Sequence, residues 1–405
     1  MVVADFPPPF DHETGWQMLT LFSSRKYRNA ALQAVFLAAV LALIGAAIFQ
    51  GRQNLASQGI NSGFGFLTRA TGFDIGFKLI DYTPYSTYGR LIVVGLLNTL
   101  FLGILGIVLA NIVGLVIAIL RTSRNETFNI IGTVYIEIFR NIPMILQAVF
   151  WYALLTQLPP PKQALQGLGS YLSSRGLYIP GLNVTGASAA IFFLCLFVAL
   201  VALTIFAISR RYARIPMQRR RVVRLTIMAF SLAAGVTALA FGRIPDTALL
   251  SLPELRGLNI REGIRVSPEF VALLVAMAIY GGAYIAEIIR AGFLSVGKGQ
   301  VEAAQSLGLT PWQVFSRVRL PLAFRAVLPT LINQYVWLFK ATTLGIAVGY
   351  TDFFAVISVS INQAGQTLEL IGILMLGFLV INNSIAFVLN RVNKAIALKG
   401  NQLRS

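Results

Sequence analysis

Long apolar runs divide this chain, at roughly 29–50, 91–120, 130–156, 187–208, 225–242, 268–290, 326–349 and 368–390. Each is near the ~20 residues that a helix needs to cross ~30 Å of hydrocarbon. Inside lipid a backbone must satisfy its own N–H and C=O groups, which leaves helices or closed barrels. The runs are continuously apolar instead of alternating, so they predict helices. With 56% apolar and only 12% charged residues among 405, a soluble core of this size would lack polar cover. The expectation is an all-α polytopic membrane protein of about eight transmembrane helices.

A formal charge of +18 would suit a nucleic-acid partner if it formed one patch. Here the basic residues are divided among the segments between runs, where they read as topology signals at a lipid surface, and no nucleic-acid partner is expected. With a cytoplasmic N-terminus, the inside collects Arg25, Lys26 and Arg28, Arg121 and Arg124, the run Arg210 to Arg224, then Lys298, Arg317 and Arg319. The tail adds Arg391, Lys394, Lys399 and Arg404. The outside segments, 51–89, 157–186, 243–267 and 350–367, hold fewer basic residues and include Pro159-Pro160-Pro161. An even span count then brings the C-terminus back to the cytoplasm. The first run is too long and too far along for the core of a cleaved signal peptide, so it predicts a retained signal-anchor span. The run at 225–242 is the shortest and has basic residues at both ends. A single cysteine, Cys195, allows no intramolecular disulfide, and a single histidine, His12, forms no metal cluster. Neither a catalytic constellation nor a metal site is expected.

One polar loop, GKGQVEAAQSLGLTPWQVFSRVRLP from Gly297 to Pro321, is more informative than its length. Ala303, Ala304 and Leu307 share a face, so Val301 to Leu307 predicts a short amphipathic helix stopped at Gly308. Thr310, Pro311 and Gln313 then supply an N-cap, a first-turn proline and the third position of a capping box. They start a second helix carrying Trp312, Phe315 and Val318. Two small helices hinged at a glycine, with Glu302-Ala303-Ala304, Gly308 and Leu320-Pro321 in order, resemble the EAA loop of ABC-importer permeases, whose helices dock on a cytoplasmic ATPase. The bland alternative is an ordinary interfacial helix. A phosphate-binding loop is a near miss: Gly292, Gly297 and Lys298 satisfy GxxxxGK, but Gly299 stands where Ser or Thr must hold magnesium, and an apolar helix precedes it. The chain is expected to bind no nucleotide and no cofactor.

The surrounding order extends the likeness. Asn98 to Ser123 is similar to the first core span of polar amino-acid permeases, FRNIPMILQAVFWY from Phe139 to their arginine-x-x-proline second span, Gly281 to Gln300 to the third, and Leu328 to Gly345 to the fourth. The resemblance covers about 90–156 and 268–395 and implies five core spans of a type I importer permease. Residues 1–89 would add an N-terminal segment, a first span and an outer loop, and 157–267 would insert outer loops and two further spans. Residues 396–405 would form a cytoplasmic tail. Such an expanded chain resembles the larger membrane subunits of general L-amino-acid importers. That implies a bacterial inner-membrane location, ATPase subunits holding ATP and Mg, an external amino-acid-binding protein and a second, different permease. Many relatives have an acidic residue where this chain has Ala341, after Lys340.

Ionisable groups inside apolar spans are costly unless paired or facing water, so they are candidates for the pathway. Arg140 lies about ten residues into its span, roughly 15 Å deep by helix rise. Glu287 and Lys340 flank the loop. Glu287 against Arg140 or Lys340 would suit an amino acid's ammonium and carboxylate. The structural alternative pairs Arg140 with Glu137 and Glu287 with Arg290 along their own helices. Asn141 and Pro143 either expose backbone at binding depth or form a packing kink. Gln147 and Tyr284 join the pathway set; Asn98, Asn111, Asn333 and Asn382 read equally well as bonds between helices. For coupling, the candidates are Glu302, Ala303, Gly308, Leu320 and Pro321, with Glu302 either capping its helix or meeting a basic residue of the ATPase. An ion-coupled secondary transporter would share the buried charges but leaves the loop without a reason; a non-transport scaffold would explain only the arginine run.

Overall fold

The computed structural model describes residues 25–57, 63–123, 125–208, 216–245, 247–248 and 250–396. His12, Arg124, Arg210, Arg211, Arg214, Lys399 and Arg404 lie outside them. Two units are distinguished, 1–64 and 65–405. The first contains α1, Arg25–Ser57, which covers the expected signal-anchor run.

The second unit is built on α2, Tyr88–Arg121, and α7, Pro268–Ser295. Between them lie α3, Glu126–Asn141, α4, Met144–Thr156, α5, Gly186–Ile208, and α6, Met217–Phe241. After α7 come α8, Lys298–Ser306, α9, Pro311–Val314, α10, Leu320–Ala341, α11, Phe353–Ala364, and α12, Thr367–Ile396. Side chains at Gly106 and Gly114 would collide with Met277 and Ile285, so α2 and α7 approach over small residues. Gly281 and Gly282 meet Ala110 and Val113 in the same seam. Lipid tails are as apolar as Leu, so close backbone approach and dispersion hold such helices together. Leu102, Leu273, Met277, Ile285, Leu331 and Leu338 fill the core between α2, α7 and α10. Hydroxyls bond across it: Tyr335 donates to Asn111 Oδ1 at 2.7 Å, and Tyr135 to the Ile279 carbonyl at 2.9 Å. A second cluster joins Phe66, Tyr82 and Leu91 to Phe353 and Ile357. Asn98 donates to the carbonyls of Phe77 and Thr351 and so ties the segment before α2 to the one before α11.

Two expectations need correction. Among the described residues five helices are long and apolar enough to cross a membrane, and up to seven spans result if each of two bent pairs is one. The run 130–156 is a pair, α3 and α4, bent by 99°. The run 326–349 belongs to a longer path in which α10 passes through a 3-10 segment, Thr342–Val348, to α11 with a 51° bend.

The segments flanking α5 and α6, expected as outer loops, are not plain loops. Strands β1, Leu165–Gly167, β2, Ser170–Ser173, and β3, Gly176–Ile179, pair antiparallel with β8, Ile264–Val266. Tyr178 sits opposite Arg265. Strand β4, Gly181–Leu182, pairs with β5, Leu250–Ser251, and β6, Glu254–Arg256, with β7, Asn259–Arg261. Chain leaving at 176–184 is thus zipped to chain returning at 243–266. Helices α5 and α6 form an antiparallel hairpin beneath this ladder, with Gly235 against Phe192 and Gly242 against Ser188. Short hairpins with tight glycine turns leave little periodic signal in sequence.

Candidate functional site

Helix α3 ends where Pro143 denies the helix a backbone N–H. The residue before a proline is pushed out of the helical region, and Ile142 is extended at φ −90°, ψ 123°. The break leaves carbonyls of the last turn without helical partners. Gln147, one turn into α4 and 5% exposed, donates its amide to the carbonyls of Phe139 and Ile142, each at 3.0 Å. Asn141 bonds back to the Glu137 carbonyl at 2.7 Å. These two residues hold the corner itself. The Oε1 of Gln147 is buried without a protein partner.

Arg140 stands in the last turn before this corner and is exposed. Its guanidinium lies 4.9 Å from the centre of the Tyr284 ring. Tyr284 and Tyr280 sit one turn apart on α7, with centroids 4.9 Å apart, and the Tyr280 hydroxyl donates to that of Tyr284 at 3.3 Å. Tyr280 in turn stacks on Trp337 of α10 at 5.4 Å. Three helices therefore contribute one column, Arg140, Tyr284, Tyr280 and Trp337, with Trp337 37% exposed. Lys340 is exposed one turn beyond Trp337. Tyr284 is flanked by 16 residues of α7 on one side and 11 on the other, so at 1.5 Å per residue it lies about 24 Å and 17 Å from the two ends. Arg140 stands opposite the middle of α7 because of where its corner touches that helix, not because of its place in an unbroken span. Among the described residues no ion pair joins it to Glu137.

Glu287 makes the expected pair along its own helix and a second, unexpected one across to α2. Arg290, three residues on, donates to its Oε1 at 2.7 Å, and Arg121 at the end of α2 donates to its Oε2. The same-helix pair was legible at i, i+3. The clamp from α2 was not, since Arg121 reads in sequence only as a positive charge ending a span. With a guanidinium on each oxygen, Glu287 ties α2 to α7 and is not an open carboxylate. Tyr280 and Trp337 were also missed, although i, i+4 spacing to Tyr284 could have found the first.

The loop at 297–321 forms two helical pieces, as expected, with different bounds. Helix α8 begins at Lys298 and ends at Ser306, with Leu307 as its cap. Gly308 has φ +74°, and a Cβ built there would meet nothing within 4 Å, so the requirement for glycine is one of backbone alone. Thr310 and Gln313 complete the capping box, the Thr310 N–H bonding Gln313 Oε1 at 3.0 Å. The shared face is not buried as a unit: Ala304 is 5% exposed, whereas Ala303 is exposed and Leu307 is 82% so. Nor is the second helix separate. Helix α9 runs through a π-helical turn, Phe315–Arg319, directly into α10. Phe315 packs on Phe293 of α7 at 5.7 Å and on Trp312 at 5.8 Å. Leu320 and Pro321 line an apolar cavity of about 400 Å³ with Ile289 and Phe293. Glu302 is exposed; its carbonyl, not its carboxylate, takes the Ser306 hydroxyl at 3.0 Å. Gly292 is inside α7, packed closely against Ala323 and Val327.

Residues 266–397 match the family model described as "Binding-protein-dependent transport system inner membrane component". The putative amino-acid ABC transporter permease protein YhdX of Escherichia coli (strain K12) is 38% identical over 380 residues, 93% of this chain and 96% of that protein. The general L-amino acid transport system permease protein AapQ of Rhizobium johnstonii is 36% identical over 392 residues, 96% of each chain. The glutamate/glutamine/aspartate/asparagine transport system permease protein BztB of Rhodobacter capsulatus is 33% identical over 435 residues, 98% of this chain and 100% of that one. The chain belongs to the amino-acid ABC-transporter permeases. It is therefore a multi-pass inner-membrane permease, and the match extends through the inserted hairpin and the N-terminal addition, beyond the residues of the family model.

Proposed function

We propose that this permease is the membrane subunit of an importer that moves L-amino acids handed over by an external binding protein. ATP and Mg are used on separate ATPase subunits docked at 297–321. One observation carries this reading: the docking loop is continuous with α10 and packed on α7, the two helices that present Trp337, Tyr280 and Tyr284. Force applied at Leu307, Trp312 and Gly308 tilts those helices and opens or closes the column. Both termini lie in the cytoplasm, which puts the loop on the ATPase side.

In the pathway, Arg140 meets the substrate carboxylate through charge-assisted hydrogen bonds. The faces of Tyr280 and Trp337 receive the ammonium, an attraction of about 0.5–2 kcal/mol depending on desolvation. Lys340 adds positive potential at the next turn. Gln147 and Asn141 fix the corner that carries Arg140, and Glu287 holds α2 against α7. The half-exposed column needs an opposing wall, which a second, related permease supplies. An ion-coupled mechanism gives the loop no task.

The test is uptake by proteoliposomes containing the chain, its co-purifying subunits and the binding protein. ATP inside should drive accumulation of L-amino acids, and an ion gradient without ATP should not. The reverse result sinks the reading. Orientation is tested after Cys195→Ala by placing single cysteines at Leu258 and Gln218. An impermeant maleimide should reach only the first in intact cells; labelling of the second alone would invert the topology.

A further inference from the structure

The inserted hairpin has a property that transport does not use. No acidic residue occurs between Glu137 and Asp246, whereas seven arginines fall between Arg210 and Arg224. Helix α6 carries four of these in its first two turns and then no charged residue from Leu225 to Phe241. That apolar stretch of 17 residues spans about 25 Å of helix, so the arginines stand where hydrocarbon gives way to head groups.

Arg221, Arg224, Leu225 and Met228 follow i, i+3, i+4, i+7 spacing and form one stripe, charged at its outer end and apolar one turn deeper. Together with Gln218 and Arg220 they line a cavity of about 650 Å³. The guanidinium of Arg224 is held 5.9 Å from the Phe206 ring of α5, which ties this end of the hairpin to its partner helix. Leu225 is 52% and Met228 45% exposed, so the apolar end of the stripe is open. Clustered guanidinium groups match a phosphodiester in charge and fork geometry, and the adjoining Leu and Met match an acyl chain. No carboxylate of the hairpin itself supplies the countercharge.

We propose that the start of α6 is a binding site for an anionic phospholipid, with the phosphate at Arg221 and Arg224 and an acyl chain along Leu225 and Met228. The site lies in the same leaflet as the docking loop if the proposed orientation holds, but binding does not depend on that orientation or on transport. It anchors the hairpin that separates this permease from a bare five-span core.

The experiment uses the full chain purified in detergent and exchanged into a second detergent to strip loose lipid. Binding of headgroup-labelled phosphatidylglycerol and phosphatidylcholine is titrated, with inorganic phosphate as competitor. The intact chain should prefer phosphatidylglycerol, and Arg221→Gln with Arg224→Gln should weaken that binding about twenty- to thirtyfold, which is ~1 kcal/mol for each charge removed near an anionic surface. Lysine at both positions should lose the fork but keep the charge and so bind more tightly than the glutamine pair, which separates loss of charge from misfolding. Equal binding of the two lipids by the intact chain overturns the proposal without recourse to a variant. Undiminished binding by the glutamine pair also overturns it. Full displacement by millimolar inorganic phosphate would assign the cluster to free anions and remove the lipid.

Discussion

Arg140 lies over the ring of Tyr284 at 4.9 Å and forms no ion pair with Glu137, although Glu137 is only one helical turn away. This relationship separates two roles that the sequence leaves equal. A same-helix pair would make Arg140 part of the scaffold. A guanidinium resting on a half-buried aromatic ring instead keeps its N–H donors available opposite the middle of α7.

The first prediction follows from that geometry. Arg140→Met keeps most of the side-chain volume and removes the donors, so uptake per assembled complex should fall at least tenfold, the ~1.5–3 kcal/mol of a hydrogen bond to a charged group. Assembly should survive. Glu137→Gln alone should leave both nearly unchanged, and adding it to Arg140→Met should rescue nothing. Full rescue in the double variant, measured as uptake normalised to complex on a sizing column, would return Arg140 to the scaffold.

Gly308 tests the loop through its backbone. A Cβ there touches nothing, yet φ is +74°. Left-handed geometry penalises most side chains by about 1–2 kcal/mol and is easiest for glycine and asparagine. Gly308→Asn should therefore keep more ATP-driven uptake than Gly308→Val, which should lose most of it while the chain still inserts. Equal uptake by the two variants would mean that the hinge geometry does not matter to coupling.

The Glu287 clamp predicts an asymmetry between its two arginines. Arg121→Gln breaks a contact between α2 and α7 and should destabilise the bundle by about 1–2 kcal/mol, partly screened because the pair is not fully buried. Arg290→Gln removes an i, i+3 pair worth about 0.2–0.5 kcal/mol. Thermal unfolding in detergent should show the larger drop in Tm for Arg121→Gln. A larger drop for Arg290→Gln would make the same-helix pair the main support.

Periodicity and capping chemistry made much of this legible. Thr310, Pro311 and Gln313 act within five residues of one another, so local sequence specifies the cap, and Gly308 is the glycine its left-handed turn requires. The 99° corner is different. Pro143 announces a break, but its angle depends on Gln147 reaching back to Phe139 and Ile142 and on how α4 packs against α7. Contacts such as Arg121 with Glu287, 166 positions apart, or Tyr280 with Trp337 join separate helices, and no spacing rule reaches across them. The sheet of the insertion escaped for the same reason: β3 and β8 are short strands whose partners are brought together only once α5 and α6 have folded back.

Gln147 provides the last prediction, because it connects that corner to the column. Its amide satisfies two carbonyls freed by Pro143, and it is almost wholly buried. Gln147→Leu keeps the volume but leaves both acceptors of this part-buried corner unpaired, at up to about 1–3 kcal/mol for each buried group left unsatisfied. The corner should relax, and Arg140 should lose its position over Tyr284. The expected result is a lower Tm together with reduced uptake. Gln147→Glu should be worse than Gln147→Leu when the carboxylate is ionised, since it accepts and cannot donate to a carbonyl; lowering pH to protonate it restores one donor. Uptake by the glutamate variant should therefore recover as pH falls, relative to the unaltered chain at the same pH. A leucine variant with unchanged Tm and uptake would show that the corner is held by helix packing alone.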